Sequence, residues 1–471
     1  MKIKELTLEN FRCFKEAKFD FADQTTVFIG KNGTGKSSLI KGLIKALDFI
    51  FEKNTKAWGF PSLANGLLDM RNVNIDLQDI HHNGEIADFV NLKGVAVLND
   101  VEENHNADNP QMALSIEWDI KRNAYDYARI QKSLYKEAYI RFRENINYTG
   151  NYPLLVYYSD RYPHINTRMS ERVRKMLNKN DTLPRNWGYF HWNDFSSCTE
   201  IWQKRFVKIY NETLILQRSI NESTSDSNAS RIWSEQMKGY MKEIDFVTKF
   251  LKTFSSNEIQ RLSDKEGHFK ITSVGIGGVD DYYLKLYFAD GIQRRWDELP
   301  AGLERLFSIV FDIAYRSFVL NRGQYEPQGI VLIDEVDLHL HPSLQQDVLL
   351  RLQVTFPKIQ FIITTHSPLV ITNLRQDESN KVIQMERSGE TYSHDYTGNL
   401  YIHDYLYTLY EVMHTEPRAF ALKVLEDRYI RFRHRGKDDK AKEVLAELRR
   451  LIGEMNFDTY RADLDEKIAE G

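Results

Sequence analysis

The chain has 471 residues and a formal net charge of −4, so the molecule as a whole has no electrostatic bias toward nucleic acid and any basic surface is local. Its two cysteines, Cys13 and Cys198, exclude a disulfide framework and a CxxC pair, which fits a reducing compartment. No window approaches the roughly 18 uninterrupted apolar residues of a membrane span, and the expectation is a soluble cytoplasmic protein with no membrane partner.

In chain order, "KIKELTLENFRCFKEAKFDFADQTTVFIG" mixes apolar and polar residues at short spacing and predicts two or three strands ending in the β-rich run Val27–Ile29. The stretch "GKNGTGKSS" follows at residues 30–38, and apolar residues at 39, 40, 43, 44, 47 and 50 predict an amphipathic helix over Ser37–Phe51. Gly30, Gly35, Lys36 and Ser37 complete G-x-x-x-x-G-K-[ST], with Lys31, Asn32, Gly33 and Thr34 inside the loop and Ser38 just after it. Glycines let successive backbone N–H groups point at phosphate oxygens, the lysine adds a charge at the β/γ end, Ser37 offers a hydroxyl to Mg²⁺, and the helix start adds its positive dipole end. The stretch is therefore expected to bind a nucleotide, ATP, with Mg²⁺.

Residues 66–122 return to short mixed segments such as "MALSIEWDI", read as antiparallel strands flanking the first lobe, and "YPLLVYYSD" at 152–160 is one more buried strand. Charge and aromatics then rise and strand runs vanish, which predicts an inserted helical subdomain with an exposed loop at "NESTSDSNAS", residues 221–230. No a/d heptad persists, so a long coiled coil is not expected. "HFKITSV" and "YYLKLYFAD" resume strands, a helix is predicted from about Gly302 to Leu320, and "GIVLIDEVD" and "IQFIITTHS" are apolar runs ending in polar residues, as central parallel strands do. The fold class is α/β, with four segments: 1–160 and 263–400 as two parts of an ATPase head, a helical insertion at 161–262, and a helical tail at 401–471.

Four aliphatics, Ile330–Ile333, precede Asp334-Glu335, placing Asp334 at the C-terminal end of a buried strand, where it can hold the Mg²⁺ that Ser37 also ligates. Glu335 would then polarise the attacking water. Asp337 with Asp334 is the alternative, a metal-dependent nuclease pair. His339 and His341 lack a matching Cys or His pair for zinc and are read as loop-positioning residues. His366 ends the next apolar strand, where it can contact the γ-phosphate or position the water.

With these strand ends in hand, the sequence resembles the ABC-class ATPases of the SMC and overcoming-lysogenization type, through "LTLENFRCF", "GKNGTGKSS", "LIDEVDLHLHP" and "TTHSP". The resemblance covers roughly residues 1–120, 152–161 and 265–380. It implies an ABC-type head, a homodimer or higher homo-oligomer closing head to head around ATP, Arg12 near the nucleotide, and a signature loop that completes the partner's site. The signature candidate is "LPAGLERL", residues 299–306, where Pro300 replaces the usual serine and Gly302 remains to face phosphate. A glutamine-containing loop is also implied, and Gln78 and Gln111 are both open.

The short insertion and helical tail look like the ATPase subunits of bacterial antiphage systems, most like those of Septu, with retron and PARIS ATPases as alternatives. That resemblance implies a separate effector, a nuclease of HNH or TOPRIM type. The alternatives are an SMC-like repair ATPase, which lacks support without long coiled-coil arms, and a self-contained nuclease, for which the stretch after "TTHSP" is too short. In the tail, Ala441, Val444, Leu445, Leu448, Leu451 and Ile452 form one apolar face that packs on its own domain or docks an effector. Two basic stretches are candidates for nucleic acid: residues 161–185, with seven Arg/Lys against two acids and aromatics around them, and Arg428, Arg431, Arg433, Arg435 and Lys437.

Overall fold

The computed structural model describes residues 1–51, 75–83, 85–98, 114–124, 130–131, 134–160, 175, 182–193, 199–222, 228–256, 269–278, 282–389, 391–398, 400–402, 407–413, 420–453, 457, 460, 461 and 464. Cys198, Gln111 and most of the basic stretch at 161–185 lie outside the described residues. The chain divides into two compact units, Met1–Ile402 and His403–Gly471.

In the first unit, β1 (Lys2–Phe11) and β2 (Phe14–Asp20) form an antiparallel hairpin that buries Leu6, Leu8, Phe11, Phe14 and Phe19. β3 (Thr25–Ile29) is buried along its whole length, and α1 (Lys36–Ala46) starts directly after the glycine loop. The helix ends five residues before the predicted Phe51, passing into a 3₁₀ turn over Leu47–Phe51 whose Phe49 ring lies 4.3 Å from that of Trp118. Next come the short β4 (His82–Asn83) and β5 (Glu85–Ile86), then β6 (Phe89–Val97), β7 (Ser115–Asn123), β8 (Ile130–Gln131), α2 (Tyr135–Thr149) and β9 (Leu154–Tyr158). Strands β2-β1-β6-β7-β8 make a five-stranded antiparallel sheet.

Two long helices, α3 (Thr199–Glu222) and α4 (Asn228–Phe254), leave a shorter break than the loop predicted at 221–230. They are pinned together by the buried pair Arg205–Glu243, Nε to Oε1 2.9 Å. The three-stranded β10 (Ile271–Gly277), β11 (Tyr283–Phe288) and β12 (Gln293–Arg295) precede α5 (Ala301–Asn321), which is apolar almost all round and buried accordingly. Rather than standing apart, the helices of the insertion pack on α5: Trp202 stacks on Tyr315 at 5.4 Å and Phe246 meets Phe318 at 5.5 Å. Buried Asp312 at the centre of α5 accepts hydrogen bonds from Tyr158 Oη (2.8 Å), Trp202 Nε1 (2.5 Å) and Arg316 Nε (2.6 Å), tying insertion, helix and β9 to one carboxylate.

The remaining strands complete the central sheet: β13 (Gln328–Ile333), β14 (Lys358–Thr364), β15 (Asn380–Ser388) and β16 (Thr391–Tyr396), with α6 (Pro342–Thr355) and the short α7 (Pro368–Thr372) between them. The order is β16-β15-β3-β14-β13-β9, parallel throughout except at β15–β16. Because β3, β13 and β14 are parallel, the glycine loop, Asp334 and His366 all leave the same edge of the sheet, the edge where such sheets bind ligands.

The second unit holds a helical hairpin, α8 (Phe420–His434) and α9 (Asp438–Ile452). Ala441, Val444 and Leu448 bury against Leu425, Tyr429, Phe457 and Leu464. The apolar stripe of the tail therefore packs largely within its own unit, although Leu451 is 57% exposed. Arg428, Arg431, Arg433, Arg435 and Lys437 are on its surface.

Candidate nucleotide site

The loop after β3 bends through left-handed backbone at Gly33 (φ +82°) and Gly35 (φ +99°), conformations that cost a side-chain-bearing residue free energy. At Gly35 a Cβ would also lie 2.7 Å from the Phe14 ring and 3.0 Å from the Cys13 sulfur. The loop holds itself in shape. Thr34 Oγ1 donates to the Lys31 carbonyl (2.9 Å), and Lys36 Nζ donates to the carbonyls of Gly30 (2.7 Å) and Lys31 (3.0 Å). Burial pulls the Lys36 ammonium down to about 8, against the raising effect of Asp334, Glu335 and Asp337 nearby. Lys36 thus lies within the electrostatic field of the three carboxylates of the "DEVD" turn.

Asp334 is buried at the end of β13, its backbone N–H donating to the Tyr158 carbonyl (2.8 Å) and its Oδ1 accepting from Thr364 Oγ1 (2.5 Å). Its other carboxylate oxygen has no protein partner among the described residues. The hydroxyl of exposed Ser37 and this oxygen are hard donors of the kind Mg²⁺ takes, so the residues fit that ion.

Glu335 sits in left-handed backbone (φ +50°), unusual for a residue with a side chain and a feature that clusters at functional sites. Three groups hold it there: Thr364 Oγ1 accepts from its N–H (2.9 Å), and its carbonyl accepts from Arg305 Nη2 (3.1 Å) and from the Leu338 N–H (3.1 Å). Arg305 also donates to the carbonyls of Asp334 (2.9 Å) and Asp160 (3.0 Å). The Glu335 carboxyl is raised above its usual value by burial and then by Asp334, Asp160 and Asp337. Its Oε1 lies 3.9 Å from His366 Nε2. Burial and the Lys36 charge hold that imidazole below its usual value, so it is neutral near pH 7 and able to share a proton.

Asp337 accepts from Thr365 Oγ1 (2.5 Å), which locks the turn to β14. Among the described residues no group of three or more His, Cys, Asp or Glu is arranged to hold a metal. His341 Nδ1 accepts from the Ser343 N–H (3.3 Å) as the N-cap of α6, and His339 adopts φ +63° in the same turn. Both histidines shape that loop.

Arg12 turns the β1–β2 hairpin with φ +53°, and its guanidinium is engaged by buried Asp79 (Nη2 to Oδ1, 2.7 Å), which also pairs with Lys45. Arg12 is thus beside the glycine loop through its neighbour Cys13, with its charge directed to Asp79. Gln78, next to Asp79, is exposed on the same short turn.

Gly302 is buried one residue into α5, and a Cβ there would lie 2.4 Å from the His339 carbonyl. Glycine is needed here for packing against the "DEVD" turn. Pro300 is the N-cap of α5, its carbonyl accepting from the Glu304 N–H (2.9 Å). A cavity of about 400 Å³ lies beside this helix start, lined in part by Pro300, Gly302, His339 and His341.

Sequence reasoning missed the parts played by Thr364, Arg305 and Asp79, although the first two stand inside the quoted motifs. Their partners are distant in the chain, and no local spacing signals them.

The profile of the AAA ATPase domain family matches residues 1–371. Over 429 residues the chain is 26% identical to the retron Vc95 probable ATPase of Vibrio cholerae serotype O1 biovar El Tor, covering 82% of this chain and 74% of that protein. It is 48% identical over 143 residues to the Septu protein PtuA of Bacillus thuringiensis, covering 27% of this chain and 35% of that one. Among solved structures, the SMC head bound to the C-winged helix domain of ScpA is similar at 14% identity and a TM-score of 0.45, covering 84% of this chain and 98% of that one. Among the described residues no helix is long and apolar enough to cross a membrane.

Proposed function

The chain belongs to the AAA ATPase domain family, and from that premise we propose that it binds and hydrolyses ATP as the regulatory subunit of a bacterial antiphage complex. The observation that carries the reaction is Glu335, held in left-handed backbone with a raised carboxyl 3.9 Å from His366 and within the field of Lys36. Backbone N–H groups of residues 30–38 and the Lys36 ammonium bind the phosphates. Glu335 takes the proton of the attacking water as its oxygen bonds to the γ-phosphorus and the bond to the β–γ bridging oxygen breaks, releasing ADP and phosphate. His366 orients that water and senses the γ-phosphate. Ser37 and Asp334 would hold Mg²⁺, which neutralises charge on the phosphate oxygens when bound.

The names of the retron and Septu relatives support placing the chain in such systems. Two copies close head to head, each presenting the start of α5 to the other's nucleotide, and the ATP-dependent change gates a separate effector, a nuclease of HNH or TOPRIM type. Hydrolysis then reopens the pair, which makes the assembly a nucleotide switch. Light-scattering mass of the Glu335→Gln variant tests this: ATP yields a dimer or larger while ADP leaves the smaller species, and a mass indifferent to the nucleotide contradicts it.

A further inference from the structure

The hairpin β15–β16 follows the switch histidine and lies on the far side of β3 from Asp334, Glu335 and His366, as the strand order β16-β15-β3-β14-β13 requires. It runs past the end of β3 along the phosphate loop: Gln384 pairs with Ile29, and a Cβ on Gly30 would lie 2.3 Å from the Met385 carbonyl. Two residues on, exposed Arg387 reaches the loop, its Nη1 3.8 Å from where a Cβ of Gly33 would stand.

Three contacts preset that guanidinium. Its Nε donates to the Gly389 carbonyl (2.8 Å), it lies over the ring of Tyr392 directly across the hairpin (5.5 Å), and Tyr392 packs edge-on against Phe14 (5.8 Å). Phe14 is the ring that closes on Gly35. Arg387 makes no ion pair among the described residues, whereas Arg12 on the neighbouring hairpin is taken by Asp79. A fixed fork of N–H donors beside a phosphate cradle, with no carboxylate to satisfy it, is complementary to a phosphate oxygen.

We propose that Arg387 is a nucleotide-binding residue that contacts the phosphates from the side opposite Glu335, with Tyr392 as the shelf that aims it. This rests on the nucleotide reading of the loop. Since the γ-phosphate faces Glu335 and His366, Arg387 meets the α/β portion that ATP and ADP share. It therefore sets affinity for both nucleotides and does not act in the chemical step.

The test is calorimetric titration of the full chain with ADP, and with Mg-ATP in a Glu335→Gln background. Arg387→Ala weakens both ligands by a similar factor of about tenfold, the lower end of what a hydrogen bond to a charged group is worth. Arg387→Lys recovers part of the loss, because it restores charge without the fork. Unaltered affinity in Arg387→Ala, or a loss confined to ATP, overturns the proposal. Failure of the parent chain to bind either nucleotide instead overturns the reading on which it rests.

Discussion

Lys36 shows how a single side chain carries both the electrostatics and the pH range of the site. Its folded value of about 8 lies below the ordinary value for lysine because burial outweighs three nearby carboxylates. The charged form, which phosphate requires, therefore predominates below about pH 8 and is lost as pH rises through it in the nucleotide-free chain. ADP affinity measured by calorimetry across this range should fall on the alkaline side. Lys36→Met should bind weakly at every pH and show no such limb, and an alkaline limb that persists in it would assign the titration elsewhere. Glu335 moves the opposite way: its raised carboxyl places the acid limb of kcat/KM above the usual carboxylate value.

Arg305 ties helix α5 to the turn that follows strand β13. One turn into α5, it donates to the carbonyls of both Asp334 and Glu335 and so fixes the turn that presents the proposed base. Arg305→Gln should lower kcat by about 10²-fold, the scale of a misplacement near 1 Å, with KM for ATP little changed; steady-state kinetics check the split. Equal losses in ADP affinity would show that the residue merely supports the loop.

The same element shows what the sequence could reveal. The glycine loop and the acidic and histidine strand ends are each written in a few consecutive residues, with apolar runs that fix the strands before them, and the parallel register then gathers them at one edge. Arg305 with Glu335, Arg12 with Asp79, and Asp312 with Trp202 and Tyr158 join positions far apart in the chain. Such pairs exist only once the sheet order is set. Gly302 stands in the sequence as part of a signature-loop candidate, yet its structural need is the approach of the His339 carbonyl. The tail's stripe was ambiguous between self-packing and docking, and the burial of Leu448 against Leu425 and Tyr429 favours the former.

At the scale of the whole molecule, the first unit contains every residue assigned to nucleotide chemistry, while the second is a helical hairpin with its own apolar core and a basic surface. The proposed sharing of the site between two copies predicts that turnover depends on how often heads meet, so activity per chain should rise with protein concentration. The central claim is that Glu335 is the base of a working ATPase. Phosphate release from Mg-ATP by the intact chain and by Glu335→Gln, with ATP binding measured in parallel, tests it most directly. The account predicts a loss of about 10²-fold or more in the variant, the usual scale for a general base, with ATP binding retained; hydrolysis by the variant at the parent rate would contradict it.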